Sequence, residues 1–266
     1  RPKATASITI PFDDFDISPF QEVMASIKIT LNNNYQFSRQ MKVNFLPPQY
    51  LQGVGIYNDF SAWSKVKYHP VNNQVIRGNH YHHSPQDLNA VIGFGWNENY
   101  LLFDLRVDDD VFYQPFSCWR IWDGDSLQFG FAKQRVTSKR SNELAGRYDL
   151  AFSEINFALT TKGAEANRTF SFDKKLFPSG EISLSTCPRK ISKITVNDKT
   201  IIHYRIAVPW QFLNLSKVKE GMNIYWAAMI NDRDQPSPAQ SDISALGVFS
   251  LKQAPPSNFG TITLTK

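Results

Sequence analysis

Along most of the chain apolar residues recur at every second position, in short runs bounded by Asn, Asp, Gly and Pro. No long window keeps the stripe of about 3.6 residues that a helix needs. The pattern predicts an all-β protein. Its clearest hairpin spans residues 90–107, where Val91, Phe94 and Trp96 lead into Asn97-Glu98-Asn99 and Tyr100, Leu102 and Leu105 lead out. A second is predicted from strands 191–196 and 200–208 around Asn197-Asp198-Lys199. Further strand candidates are 7–11, 24–31, 41–45, 125–132, 147–152, 223–230, 243–250 and 261–264. Strands at this spacing predict two packed sheets, a β-sandwich. Only two short helical turns are expected, at 60–63 and at 209–213, where Pro209 occupies a first-turn position.

Leu46-Pro47-Pro48 breaks the chain between the first strands and the rest, because neither proline can donate to a central ladder. The expected organisation is an N-terminal β segment, 1–50, and a main sandwich, 51–266. The first segment can be a small separate unit, a fragment of a preceding domain, or edge strands added to the sandwich.

Composition narrows the function. With 266 residues, 42% hydrophobic and 20% charged, and with 20 Phe, 10 Tyr and 6 Trp, the chain can bury a sizeable core, which excludes disorder, collagen and coiled coil. No run approaches the ~18 apolar residues of a membrane helix, so no membrane span is expected and the chain reads as a soluble, mature or excised segment. The net charge of +5 is small and dispersed, which argues against nucleic acid. Cys118 and Cys187 form no C-x-x-C pair, so zinc, iron–sulfur and thioredoxin chemistry lack ligands. The two thiols either join in one disulfide or stay apart.

The densest chemical cluster is Asp108-Asp109-Asp110, Gln114-Pro115-Phe116, Trp119 and Trp122-Asp123-Gly124-Asp125-Ser126. Aromatic rings in a loop offer a flat apolar face to the C–H face of a sugar, while carboxylates and amides pair with hydroxyls. The same residues can also act as an inward core plug with turn-capping aspartates. Calcium takes several oxygen ligands, and Asp108 and Asp110 in one loop and Asp232 and Asp234 in another could supply carboxylates. His80-Tyr81-His82-His83 offers imidazoles in a Gly-, Asn- and Ser-flanked loop, where a polar surface loop is the default. Lys133, Arg135, Lys139, Arg140 and Arg147 face only Glu143; if that loop overhangs Trp122 it would favour a carboxylated or sulfated glycan. No G-x-S-x-G, H-E-x-x-H, P-loop or G-x-G-x-x-G after a strand is present, so no catalytic motif points to an enzyme. Asn167-Arg168-Thr169 and Asn214-Leu215-Ser216 fit glycosylation acceptors.

Five motifs in order carry a resemblance. Residues 90–103, AVIGFGWNENYLLF, resemble the strand–turn–strand hairpin of carbohydrate-binding modules of family 9, and 109–128 are similar to that family's stretch from D-D-V to W-x-G-D-S-V-E. Ala207-Val208-Pro209-Trp210, Ile230-Asn231-Asp232 and Phe259-Gly260-Thr261-Ile262-Thr263-Leu264 resemble its A-I-P-W, V-N-D and F-G-x-L-x-L steps. The resemblance covers about residues 50–266. It implies a jelly-roll-like β-sandwich without catalytic activity, part of a larger extracellular, periplasmic or cell-surface protein that degrades polysaccharide. Such a module would hold the end of an oligosaccharide or polysaccharide beside an adjacent catalytic domain, with structural calcium. Trp122 matches the first of two clamping tryptophans, and Trp119 would be a weaker platform. Gln128 stands where a binding glutamate is common, with Asp125 and Asp149 as polar contacts or supports, and Met229 stands where a glutamine would be. The second clamp falls in residues 251–257, which contain no aromatic residue. That departure sustains a second expectation, a structural module that orients a neighbouring catalytic domain without touching sugar. A haem-binding relative would need an axial ligand from Met24, Met41, Met222, Met229 or a histidine.

Overall fold

The structure, a computed structural model, describes residues 23–30, 36–43, 49–50, 68–71, 75–77, 86–132, 152–196, 199–236, 244–248 and 259–264. The chain divides into two compact units, Arg1–Asn44 and Phe45–Lys266. In the first, strands β1 (Val23–Thr30) and β2 (Gln36–Val43) form an antiparallel pair.

The second unit holds two sheets. Strands β3 (Gln49–Tyr50), β4 (His69–Pro70), β5 (Val75–Arg77), β6 (Leu88–Trp96), β7 (Tyr100–Asp109), β8 (Ser126–Ala132), β9 (Ser153–Thr160) and β10 (Gly163–Phe170) are followed by β11 (Gly180–Glu181), β12 (Arg189–Val196), β13 (Lys199–Pro209), β14 (Asn223–Asp232), β15 (Ser244–Val248) and β16 (Gly260–Thr263). One sheet runs β11-β10-β9-β8-β14-β15-β5, with β16 also paired to β14; the other runs β12-β13-β7-β6-β3, with β4 on β6. Among the described residues the only helical pieces are two 3-10 turns, Cys118–Asp123 and Trp210–Leu213. No described helix is long and apolar enough to cross a membrane.

The predicted sandwich is what forms. β6 and β7 pair from Leu88↔Asp109 to Trp96↔Leu101, around a turn in which the Asn97 side-chain oxygen accepts the N–H groups of Asn99 and Tyr100 at 2.9 and 3.0 Å. The 210–213 turn locks onto it, with Trp210 Nε1 donating to the Asn97 carbonyl at 2.7 Å. Period-two alternation sends Phe94 and Phe103 from one sheet, and Phe129, Phe157 and Trp226 from the other, into a common core. There Phe103 stacks on Phe129 at 4.6 Å between centroids, and Phe94 meets Trp226 edge-on at 4.7 Å. Such pairs add ~0.5–1.5 kcal/mol each beyond area burial.

Strand 125–132 is found as Ser126–Ala132 and strand 223–230 as Asn223–Asp232. The strand expected at 147–152 lies, apart from Phe152, outside the described residues, and β9 and β10 are strands that the pattern did not predict. The expected strand 7–11 and turn 60–63 also lie outside them. Cys118 and Cys187 are both free thiols: Cys118 contacts Lys162 Nζ at 3.4 Å, while Cys187 is buried against the Ala207 carbonyl.

Candidate functional site

The segment 112–125 leaves β7, makes the 3-10 turn Cys118–Asp123 and enters β8. That turn, which carries Trp119 and Trp122, is pinned at every step. Gln114 donates from Nε2 to the carbonyls of Ile121 and Asp125, both at 2.8 Å, and its Oε1 accepts the Phe116 N–H. The Cys118 N–H donates to Glu165 Oε1 on β10, and Asn231 Nδ2 on β14 donates to the Trp122 carbonyl at 3.0 Å. Asp123 takes Arg120 Nη2 on one oxygen and the buried Arg233 Nη2 on the other. Cys118 stands at φ 59°, a left-handed conformation uncommon for a residue with a side chain. Trp119 is 67% exposed, Trp122 is half-buried and Ile121 is buried.

Gly124 ends the turn because nothing larger fits: a Cβ there would lie 2.7 Å from Gln114 Oε1 and 2.9 Å from the Tyr113 carbonyl. Gln114 cannot swing away without breaking three hydrogen bonds. Gly124→Ala is therefore expected to destabilise by ~1–3 kcal/mol, the range for overpacking, and to shift the tryptophan fluorescence. Denaturant unfolding followed by emission checks it, and an unchanged midpoint and spectrum would contradict the clamp.

The turn lies over the outer face of β8 to β11. On β8, Leu127, Phe129 and Phe131 face the core, so Ser126, Gln128 and Gly130 face outward. Register places Met229 of β14 on one side of Gln128 and Asn156 of β9 on the other, and Asn167 of β10 beyond Asn156. Past Gly130 that face is capped by a cluster of Ala132, Phe152, Ala227, Met229, Ala245 and Phe259. Between the tryptophan turn and this apolar cap lies a polar strip. Gln128 in it is 0% exposed, and neither its amide nitrogen nor its oxygen has a hydrogen-bond partner. Asn156 Nδ2 donates to Thr169 Oγ1, leaving its own oxygen buried and unpartnered. Burying such groups unpaired costs ~1–3 kcal/mol each, so natural chains retain them for a reason. The buried Asp104 of the opposite sheet is a contrast, held by His203 Nε2 at 2.6 Å and Arg205 Nε at 2.9 Å.

At the start of β8 the carboxylates gather. Oxygens of Asp109, Asp125 and Asp232 lie within 4.8 Å of one another, and the sets Asp87, Asp232, Asp234 and Asp109, Asp110, Asp234 meet the same limit. Burial first, then Asp234, Asp109, Asp87 and Asp110 nearby, pushes Asp232 up to about 9; burial also lifts Asp109 to about 6 and Asp125 well above its usual range. Asp125 accepts the N–H groups of Tyr113 and Arg233, so it braces the loop and does not face the polar strip. Asp232 Oδ1 is buried with no partner. A cluster of like charges with an orphaned oxygen fits a hard divalent cation, which takes six to eight oxygens.

Of the residues singled out in the sequence, Asp110, Asp232 and Asp234 come together here. Asp108 does not: it precedes Asp109 on β7 and alternation turns it to the other face, while Asp87 and Asp109 contribute in its place. Trp122 is held by its carbonyl over Asn231, the register partner of Ser126, two residues before the outward-facing Gln128 on β8, and Trp119 is exposed on the same turn. Asp149, the histidines at 80–83, the basic loop 133–147 and residues 251–257 lie outside the described residues. Asn167, a glycosylation candidate, is buried on β10, while Asn214 is exposed. Sequence reading placed Gln114 in the loop cluster and Asn231 in a motif without giving either a role, and it missed Asn156, whose only signal was a polar residue at an alternate position of an apolar strand.

No protein-family model matches the chain. No curated protein matches it at a significant level. Among solved structures, a carbohydrate-binding module of family 9 from Caldicellulosiruptor kristjanssonii in complex with cellotriose is similar over 83% of this chain and 93% of its own, with a TM-score of 0.52 and 16% identity. One from the same organism in complex with glucose is similar over 84% and 96%, with a TM-score of 0.50 and 16% identity. A Bacteroides uniformis protein, described on a proposed carbohydrate-binding role, is similar over 83% and 99%, with a TM-score of 0.51 and 10% identity. At these identities the likeness is one of fold: this chain carries a family-9-like β-sandwich.

Proposed function

We propose that the Phe45–Lys266 unit is a non-catalytic carbohydrate-binding module whose site is the outer-face strip beside the tryptophan turn. The observation that carries this reading is Gln128, an amide with both polar atoms unpartnered beside the turn that carries Trp122. A sugar hydroxyl both donates and accepts, which is what that amide lacks, and an indole face suits the C–H face of a pyranose. Support comes also from the solved neighbours, which are family-9 modules in complex with glucose and cellotriose. In this reading the module works outside the cytoplasm, extracellular, periplasmic or on the cell surface, as the accessory of a polysaccharide-degrading catalytic domain.

Calcium fits the carboxylate cluster, with Asp109, Asp125 and Asp232 as its buried holders and Asp87, Asp110 and Asp234 around them. It would supply positive charge that ties β7, the start of β8 and the end of β14 together.

A glycan array probed with the wild type and Trp122→Ala tests the reading. The variant should lose roughly ten- to a hundredfold in affinity, the ~1.5–3 kcal/mol of an aromatic side chain leaving water. Equal binding by both proteins would reject Trp122 as the platform. Silence of the wild type across neutral and acidic glycans, combined with a stable contact to a catalytic domain, would favour the purely structural module.

A further inference from the structure

The tryptophan turn begins with a residue whose chemistry sugar binding does not use. Cys118 is half-buried, stands at φ 59° and carries a free thiol. Its Sγ lies 3.4 Å from Nζ of Lys162, which belongs to the two-residue turn Thr161-Lys162 between β9 and β10. Both residues are fixed through their backbone. The Cys118 N–H donates to Glu165 Oε1 on β10 at 3.3 Å, and the Lys162 N–H donates to Thr160 Oγ1 at 3.0 Å, while Thr160 and Gly163 close the hairpin as register partners.

The contact joins two groups that react together once the sulfur is oxidised. A neighbouring lysine favours the thiolate, the form that attacks a peroxide. The sulfenic acid that results condenses with a second thiol or with a nitrogen. The only other thiol of the chain, Cys187, is buried against the Ala207 carbonyl, and burial pushes it up to about 12, so it offers no thiolate at neutral pH. The nitrogen in contact with Cys118 is Lys162 Nζ.

Proton movement fits the same sequence of events. Cys118 first, through its hydrogen bond and charge, and then Glu165 hold the Lys162 ammonium above its ordinary range. Oxidation replaces the thiolate, so the largest hold on that proton goes. Glu165 has capacity to take it: the residue is 6% exposed and its Oε2 has no partner.

We propose that Cys118 and Lys162 form a peroxide-driven covalent bridge, a direct Sγ–Nζ bond that ties the head of the tryptophan turn to the tip of the β9–β10 hairpin. The thiolate sulfur attacks the outer oxygen of a hydroperoxide; an S–O bond forms, the O–O bond breaks, and the leaving alkoxide takes a proton to become an alcohol. Sulfur gives up two electrons and the peroxide gains them. The Lys162 amine then attacks the sulfenic sulfur, so that an S–N bond forms, the S–O bond breaks and water leaves. Thiol, amine and hydroperoxide thus give sulfenamide, alcohol and water, and a dithiol reverses the bond by returning two electrons. The bridge does not depend on what the turn binds.

Peptide mass spectrometry after treatment with tert-butyl hydroperoxide tests this. In the wild type the peptides that hold Cys118 and Lys162 should emerge joined, lighter than their sum by two hydrogens, and should separate in dithiothreitol. The bridge links residues 44 apart in the chain, so the oxidised protein should unfold about 5 °C higher or more. Lys162→Arg keeps the positive charge but has no amine that can lose its proton, so its Cys118 should pass on to the sulfinic acid roughly fivefold faster than that of the wild type. Because Lys162 is exposed, that variant should match the wild-type midpoint before oxidation. The proposal is overturned if wild-type Cys118 reaches the sulfinic acid without joining Lys162, if it joins another residue, if hydroperoxide leaves it unreacted, or if Lys162→Arg over-oxidises no faster.

Discussion

Stripping divalent cations at pH 8 is expected to lower the thermal midpoint by roughly 8–16 °C. A ligand present at about a thousandfold over its Kd stabilises by ~4 kcal/mol, and each kcal/mol moves the midpoint of a domain this size by ~2–4 °C. The effect should be large because of what is left behind: three buried carboxylates within 4.8 Å, one with an oxygen that nothing pairs. The sign with pH follows. In chelator the folded chain keeps Asp109 protonated up to about pH 6 and Asp232 up to about pH 9, whereas the unfolded chain ionises near pH 4. Between those values the folded state binds more protons, so stability falls as pH rises. With calcium in excess the ligands must be ionised, so the stabilisation by the cation grows with pH over the same window. Scanning calorimetry at pH 5, 6.5 and 8, with calcium and with chelator, should give curves that diverge as pH rises. Curves that coincide at every pH would remove the cation from the cluster.

Gln128→Met should produce two opposed effects in one variant. Methionine has nearly the same length and shape, and it replaces an amide that is fully buried with no partner, facing Met229 across the ladder. Removing an unsatisfied buried polar group without opening a cavity should raise stability by ~1–3 kcal/mol. The same change takes away the donor and the acceptor offered to a sugar, so binding should fall at least tenfold. A stability gain bought with lost affinity is the mark of a functional group kept against the interest of the fold. Urea unfolding and glycan titration on the same preparation decide it. A destabilised Gln128→Met would mean that the amide is bonded in solution and serves the fold.

The sequence made the β6–β7 hairpin legible because its turn chemistry and its alternation agree: Asn97 caps the turn, and the rings of Phe94 and Trp96 return on the buried side. β9 and β10 were not legible as strands. Glu154, Asn156, Glu165 and Asn167 occupy their outward positions, where an ordinary strand exposes such groups, yet here all four are buried on the face that the tryptophan turn covers. β10 adds Gly163, Ala164 and Ala166, weak strand formers that only its neighbours hold extended. The carboxylate site was half visible. Runs of aspartate mark loops, but which member of Asp108-Asp109-Asp110 points inward depends on where β7 ends, and Asp87 joins through chain reversal that no local pattern announces.

Asp125 sits two residues past Asp123, on the same short segment that ends the tryptophan turn, and its carboxyl fastens Tyr113 and Arg233. A cation drawing on that carboxyl and a glycan resting on Trp122 would thus share one mechanical footing. Linkage is reciprocal: whatever free energy the ion lends to sugar capture, the sugar returns to ion retention. Such a module would grip its polymer in mineral-rich surroundings and release it where the ion is scarce.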